Sequence, residues 1–326
     1  MSCHNWLPME NPLKSISFGE IIKFLLEDDS PIPVDFLYAF SDISLEDLDQ
    51  VKNTWPDLEP KKKYNLLLDL EQLVKEDTLV AFDDIGEFAL DDGDPQVRGQ
   101  AIKLLEESED PNLAEKFSSL LENDSSELVR EIAARALGRF IYQGELEEIP
   151  PSITKTVRDL LLKVARSEGR DAIRLGALES LAYSSDKEVQ QMIEESYQSS
   201  NLAWRKSALI AMGRSADERW EKHILTSLSD PNLEIQLEAI QASGDLELSS
   251  AKPILMDWVQ QKDEPDIFFH CVWALSKIGG ADVRHLISEL IEKSDDDDEI
   301  DLLEIALENM DFLDHDGFIS LDGFPD

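Results

Sequence analysis

The most regular feature of the chain is an apolar residue followed by small or apolar residues four, five and eight places later. Six segments share it. Anchored on Val97, Val129, Ile173, Trp204, Ile235 and Ile267, they carry Ala101, Ala133, Ala177, Ala208, Ala239 and Cys271 four residues on. Five past the anchor stand Ile102, Ala134, Leu178, Leu209, Ile240 and Val272, and eight past it Leu105, Leu137, Leu181, Met212, Ser243 and Leu275. Successive helical residues point about 100° apart, so these offsets share one side of an α-helix. The ninth place is mostly small, with Gly138, Ala182, Gly213, Gly244 and Ser276, and predicts close approach by a neighbouring helix.

The anchors are 32, 44, 31, 31 and 32 residues apart. Between them lies a second amphipathic segment, such as "NLAEKFSSLL", "TKTVRDLLLKVA", "ERWEKHILTSL" and "AKPILMDWVQQ". Turn signals punctuate the units: "DGDP" at 92–95, "DPNL" at 110–113 and again at 230–233, "GG" at 279–280. Two helices per period predict an all-α fold, an α-solenoid of stacked antiparallel helix pairs. The 44-residue step holds an insertion at 140–153, read as a long loop because Pro150 and Pro151 interrupt any helix. An imperfect last unit follows, with Leu302, Ala306, Leu307 and Met310 in register. Residues 1–79 are helical by period but off the repeat, with breaks at Pro56 and Pro60, and are expected to form an atypical N-terminal cap. The array is expected over 80–311 and a separate tail over 312–326, where the helical period fades.

Charge narrows the partners. With 70 acidic against 30 basic residues the formal net charge is −40. Such a surface repels nucleic-acid phosphate and anionic lipid, which points away from nucleic acid and membrane and toward protein partners with basic surface. Two cysteines, Cys3 and Cys271, argue against a disulfide framework and suit a reducing compartment, read here as the cytoplasm. The start of the sequence lacks a signal-peptide pattern, and no run approaches the roughly 18 apolar residues of a membrane span.

The stretches "DPQVRGQAIKLL", "SELVREIAARALGRF" and "DIFFHCVWALSKIGG" resemble HEAT-like repeats, in particular the short bacterial kind named after phycobilin lyases, over about residues 80–310. The resemblance implies a HEAT/armadillo-like fold and protein binding along the concave face of the solenoid. It also implies that the arginines one past the anchor, Arg98, Arg130, Arg174 and Arg205, tie each unit to an acidic loop of its neighbour. Gln236 and Phe268 take that place in the last two units.

If the anchored helices are the inner ones, as in that family, Phe269 and Trp273 face the groove, where aromatics make binding hot spots. Arg135, Arg139, Lys206 and Arg214 lie on the same stripe as candidate partner contacts.

Chemistry is sparse. His270 and Cys271 are adjacent, but neighbouring helix residues diverge, and Cys271 takes the alanine place, so no catalytic dyad is expected. The five histidines lack zinc spacing, and the His-Glu pairs of the family's di-iron branch are absent. "DFLDHDGFISLDGF" has a calcium-loop glycine but lacks the first and closing carboxylates. No cofactor or metal is expected. After Lys293 no lysine or arginine occurs, and the acidic, hydrophobic tail solubilises the chain, docks on a basic, apolar surface of a partner, or folds back over Phe268 and Phe269. The function expected is a non-enzymatic scaffold, adaptor or assembly factor. The alternative is a phycobilin-lyase-like enzyme or subunit acting on a tetrapyrrole–protein linkage, and a nucleic-acid reader of the HEAT-like glycosylase kind would need a basic groove.

Overall fold

The computed structural model describes residues 17–316 apart from 28, 29, 107, 168, 262 and 263, and of 313–316 the backbone alone. The tail from 317 onward, and with it most of the calcium-loop-like stretch, lies outside the described residues. Every regular element among them is a helix. The chain forms two compact units, residues 1–139 and 140–326.

In the first unit, α1 (Phe18–Glu27), α2 (Val34–Tyr38) and α3 (Leu45–Thr54) precede α4 (Pro60–Glu76), α5 (Asp83–Ala89), α6 (Pro95–Leu104), α7 (Leu113–Asn123) and α8 (Glu127–Ala136). Ile21 of α1 and Phe40 are fully buried, and edge-to-face ring pairs Phe18–Phe40 and Phe24–Phe36, both 5.4 Å between centroids, fix the first helices. The helices α4, α6 and α8 stack in one row, while α5 and α7 lie alongside α6 and α8.

The row therefore begins one helix earlier than the anchor spacing indicates. Leu66, Leu67 and Leu70 of α4 are fully buried at the places four, five and eight past Lys62. A lysine at the anchor and a leucine in place of alanine conceal the register.

The second unit holds α9 (Gly138–Glu145), whose first two residues precede the division, and α10 (Pro151–Ala165). Five stacked anchored helices follow: α11 (Asp171–Leu181), α13 (Leu202–Arg214), α15 (Leu233–Asp245), α17 (Pro265–Ile278) and α19 (Asp297–Asp316). Between them run α12 (Lys187–Tyr197), α14 (Glu221–Ser227), α16 (Lys252–Gln261) and α18 (Ala281–Lys293), each packed mainly on the anchored helix that follows it. The segment read as a long loop is helical for its first part, because Phe140 and Ile141 are fully buried and give α9 an apolar side. Pro150 and Pro151 do not end a helix but start one: Pro150 caps α10 and Pro151 occupies its first turn, where a missing N–H costs nothing. The last helix runs to Asp316, past the point where the helical period fades.

The alanines four past the anchor, and Cys271 in their place, are fully buried in all six units. Close packing at the ninth place has a direct cause. A Cβ on Gly213 would lie 3.0 Å from the Ala242 Cα, and one on Gly244 would lie 2.8 Å from the Ala274 Cα, so the backbones of α13, α15 and α17 touch. Twelve past the anchor the chain turns through left-handed φ at Ala216 (49°), Glu247 (50°) and Gly279 (66°), and only the last uses glycine. Side-chain caps start several units: Asp94 accepts from the Gln96 N–H at 2.8 Å, Asn201 from Ala203 at 2.9 Å and Asn232 from Ile235 at 3.2 Å.

Candidate binding face of the anchored helices

The cations one past the anchor are spent within the fold. Arg98 donates to both oxygens of Asp124, from Nε at 2.8 Å and Nη2 at 2.7 Å, and to the Asp92 carbonyl at 2.8 Å. Arg130 donates to the Asp124 carbonyl at 2.9 Å. Arg174 donates to the Ala165 carbonyl at 3.2 Å and to Asp171 at 3.1 Å, and stacks over the Trp204 ring of the next anchored helix at 4.7 Å. Arg205 meets Asp230 at 2.5 Å. Gln236 does the same work uncharged, donating to the Leu228 carbonyl at 2.9 Å. Lys63 of α4 joins the series through Asp92 at 3.0 Å, which also accepts from the Trp55 indole at 2.7 Å. Burial pushes the Asp124 carboxyl up, but the Arg98 hydrogen bond, the Ser126 N–H and the charges of Arg98 and Arg130 outweigh it and hold it below the usual range. Asp92 and Asp230 are held low in the same way against their burial.

The six residues read as partner contacts fall in both units. In the first, Arg135 pairs with Glu131 at 3.5 Å, and Arg139 reaches back to the Leu105 and Glu106 carbonyls at 3.0 and 2.6 Å, closing the end of α6. In the second, Arg214 approaches the Glu179 carbonyl at 3.4 Å, and Lys206 bridges Glu234 and Glu238 of α15 at 3.5 and 3.4 Å. Beside it Ser207 donates to the buried Glu179 at 2.5 Å. Burial pushes the Glu238 carboxyl up, with Glu179 adding to the rise and Lys206 and His270 opposing it. Charges in the middle of this face thus answer one another.

The end of the face differs. Phe269 is 51% exposed and Trp273 half-buried. On α17, Ser276 meets Asn309 of α19 at 3.0 Å, while Lys277 reaches back to Asp245 of α15 at 2.6 Å. By the 100° step, Phe269 and Trp273 lie on the solvent arc between those two contacts, with Phe269 on the α19 side. The neighbouring α19 is oriented by Asn309 toward α17 and by Asp311, which pairs with Arg284 of α18 at 2.5 Å. Ile305 (53% exposed) and Phe312 (65%) fall on the α17 side of its solvent arc. Nothing in the sequence marks Ile305 for this face, and Phe312 reads there as part of the acidic, hydrophobic tail.

Cys271 is fully buried and burial pushes its thiol up to about 12, while the His270 ring bonds its Nδ1 to the Asp266 carbonyl at 2.7 Å. No thiolate–imidazole chemistry arises there. Among the described residues no group of three or more His, Cys, Asp or Glu could hold a metal ion, and no helix is long and apolar enough to cross a membrane.

A family model described as HEAT repeats matches residues 83–151 and 221–308. No curated protein matches the chain. Among solved structures it is similar to an engineered protein (16% identity, 90% of this chain and 88% of that one, TM-score 0.37). It is also similar to human deoxyhypusine hydroxylase in complex with glycerol (18%, 80% and 95%, 0.33). A third is yeast importin-beta (13%, 90% of this chain but 46% of that one, 0.44).

Proposed function

Starting from a chain that carries HEAT repeats, we propose that it works as a scaffold, adaptor or assembly factor, holding a partner protein on the exposed face of the anchored helices in its second unit. One observation carries this reading. A phenylalanine 51% exposed, with Trp273 one turn on, occupies the place two past the anchor that Lys206 fills two units earlier. Exposed aromatics grouped on a rigid helical face are the usual anchors of protein recognition. Arg98, Arg130, Arg174 and Arg205 are structural in this reading, as is Arg139, which donates to the Leu105 and Glu106 carbonyls, while Lys206 and the exposed Arg214 line the approach to the aromatic pair and Arg135 is a candidate contact of the first unit. The helices before α4 serve as the cap of the row that begins at α4. A reducing, cytoplasmic setting fits the free, buried thiol of Cys271.

The test is affinity purification of the tagged protein beside a Phe269→Ala/Trp273→Ala version, followed by mass spectrometry. A discrete protein retained by the first and lost by the second is the expected result. The same set retained by both would remove the face from the account. Visible absorbance in the retained material would favour the alternative drawn from the resemblance, a role on a tetrapyrrole–protein linkage.

A further inference from the structure

The carboxylates at the end of the face stand apart from those in its middle. Asp301, Glu304 and Glu308 of α19 are exposed beside Ile305 and Phe312, and Asp266 is exposed at the start of α17. Among the described residues none of these four is paired with a cation, whereas Glu234 and Glu238 share Lys206 and Asp245 has Lys277. The apolar side chains are also level with one another. Both helices run the same way from the Ser276–Asn309 contact, and at about 1.5 Å per residue Phe269, Trp273 and Ile305 lie roughly 5 to 10 Å before it, with Phe312 about 5 Å beyond. The result is an apolar strip one helical segment long, rimmed by unanswered negative charge.

We propose that this strip docks a short amphipathic segment of the partner chain whose apolar side chains sit on Phe269, Trp273, Ile305 and Phe312 and whose lysines or arginines meet Asp266, Asp301, Glu304 and Glu308. This rests on the scaffold reading and names the chemistry of its partner. Charge selects the occupant. A second copy would bring its own carboxylates to the strip, and the segment following Asp316 contains no lysine or arginine, so both are opposed by like-charge repulsion. A basic, apolar segment gains from both components of the surface.

The probe is a fluorescent amphipathic peptide of leucine and lysine, with counterparts carrying glutamate or glutamine for lysine, titrated into the full chain by anisotropy at low and physiological salt. The lysine peptide is expected to bind and the glutamate peptide not. Ile305→Ser/Phe312→Ser should weaken binding by about tenfold or more, since such anchors dominate small interfaces. Asp301→Asn/Glu304→Gln/Glu308→Gln should weaken it by about tenfold and flatten its salt dependence. Leu45→Ser, at a site 80% exposed in the first unit, should leave binding unchanged. Thermal melts by circular dichroism check that each variant is folded. Equal binding by the serine variant would mean general charge attraction and overturn the proposal. Equal binding of the glutamine and lysine peptides would overturn it too, as would a dimer in sedimentation that the serine variant abolishes. If capture of a cellular partner depends on Phe269 and Trp273 while the lysine peptide fails to bind, this inference falls and the scaffold reading stands; if neither holds, both fall.

Discussion

Adjacent positions on the anchored helices do opposite work. One past the anchor, Arg98 and Arg205 turn to the next loop and meet Asp124 and Asp230, both mostly buried. Two past it, a 100° step away, Lys206 and Phe269 turn to solvent or to the neighbouring helix. Charge at the loop edge is desolvated and answered, which makes it part of what holds the stack. On the solvent face it is answered in the middle and unanswered at the end, which leaves something for a partner to meet. Stability and recognition should therefore separate by register.

The sharpest way to break this comparison is Arg98→Ala. It leaves Asp124, whose side chain is 5% exposed, without its guanidinium, and the expected loss is about 3 kcal/mol in urea unfolding. Arg205→Ala should cost less, about 1 kcal/mol, because its side chain is 29% exposed and better solvated. If both were silent, the loop-edge cations would not be structural.

Acid should sharpen the contrast. Asp92, Asp124 and Asp230 have folded pKa values below their unfolded ones, so their contribution is present above about pH 4 and disappears as pH falls through the lowered folded values. Asp124→Asn should lower stability at neutral pH and flatten the acid limb of the stability–pH curve. Glu238 on the solvent face has the opposite sign. Burial raises its pKa, so its ionisation costs stability as pH rises above the ordinary glutamate range, and Glu238→Gln should give a small gain at neutral pH. A shared sign at the two sites, read from melts across pH, would erase the distinction.

The smallest effect is expected from Phe269→Ser, within about 0.5 kcal/mol of the parent in unfolding, since exposed positions away from special features tolerate change. A large loss there would make Phe269 a core residue rather than a contact.

The stacked register was legible because one face of each anchored helix is compressed against a neighbour, which enforces alanine or cysteine four past the anchor and glycine, alanine or serine nine past it in the later units. It failed at α4, where Lys62 and Leu66 replace the expected types while Leu67 and Leu70 still bury. Turns escaped for a related reason: Ala216 and Glu247 take positive φ, as Gly279 does, without the glycine that announces it. Spacing fixes where a Cα lies, not where a long side chain ends: Arg139 reaches back to the Leu105 and Glu106 carbonyls, while Arg214 stays exposed with the Glu179 carbonyl at 3.4 Å. Ile305 and Phe312 were hidden among Leu303, Ala306 and Met310, which satisfy the core on their own. The contacts of Asn309 and Asp311 show how α19 is rotated.

Three of the loop-edge cations obey one rule, a cation one past an anchor meeting an aspartate five before the next, in Lys63–Asp92, Arg98–Asp124 and Arg205–Asp230, while Arg130 and Arg174 turn back to the preceding loop. The rule refers only to the adjoining unit and is indifferent to how many units stand on either side. Excising residues 199–229 would bring Asp230 to the place five before the anchor that follows Arg174, at the cost of the Trp204 ring on which Arg174 stacks and with α15 packing on α11 and α12 in place of α13. Length in this architecture is thus a heritable quantity that duplication or deletion of one period can change while the surviving units keep their pairing.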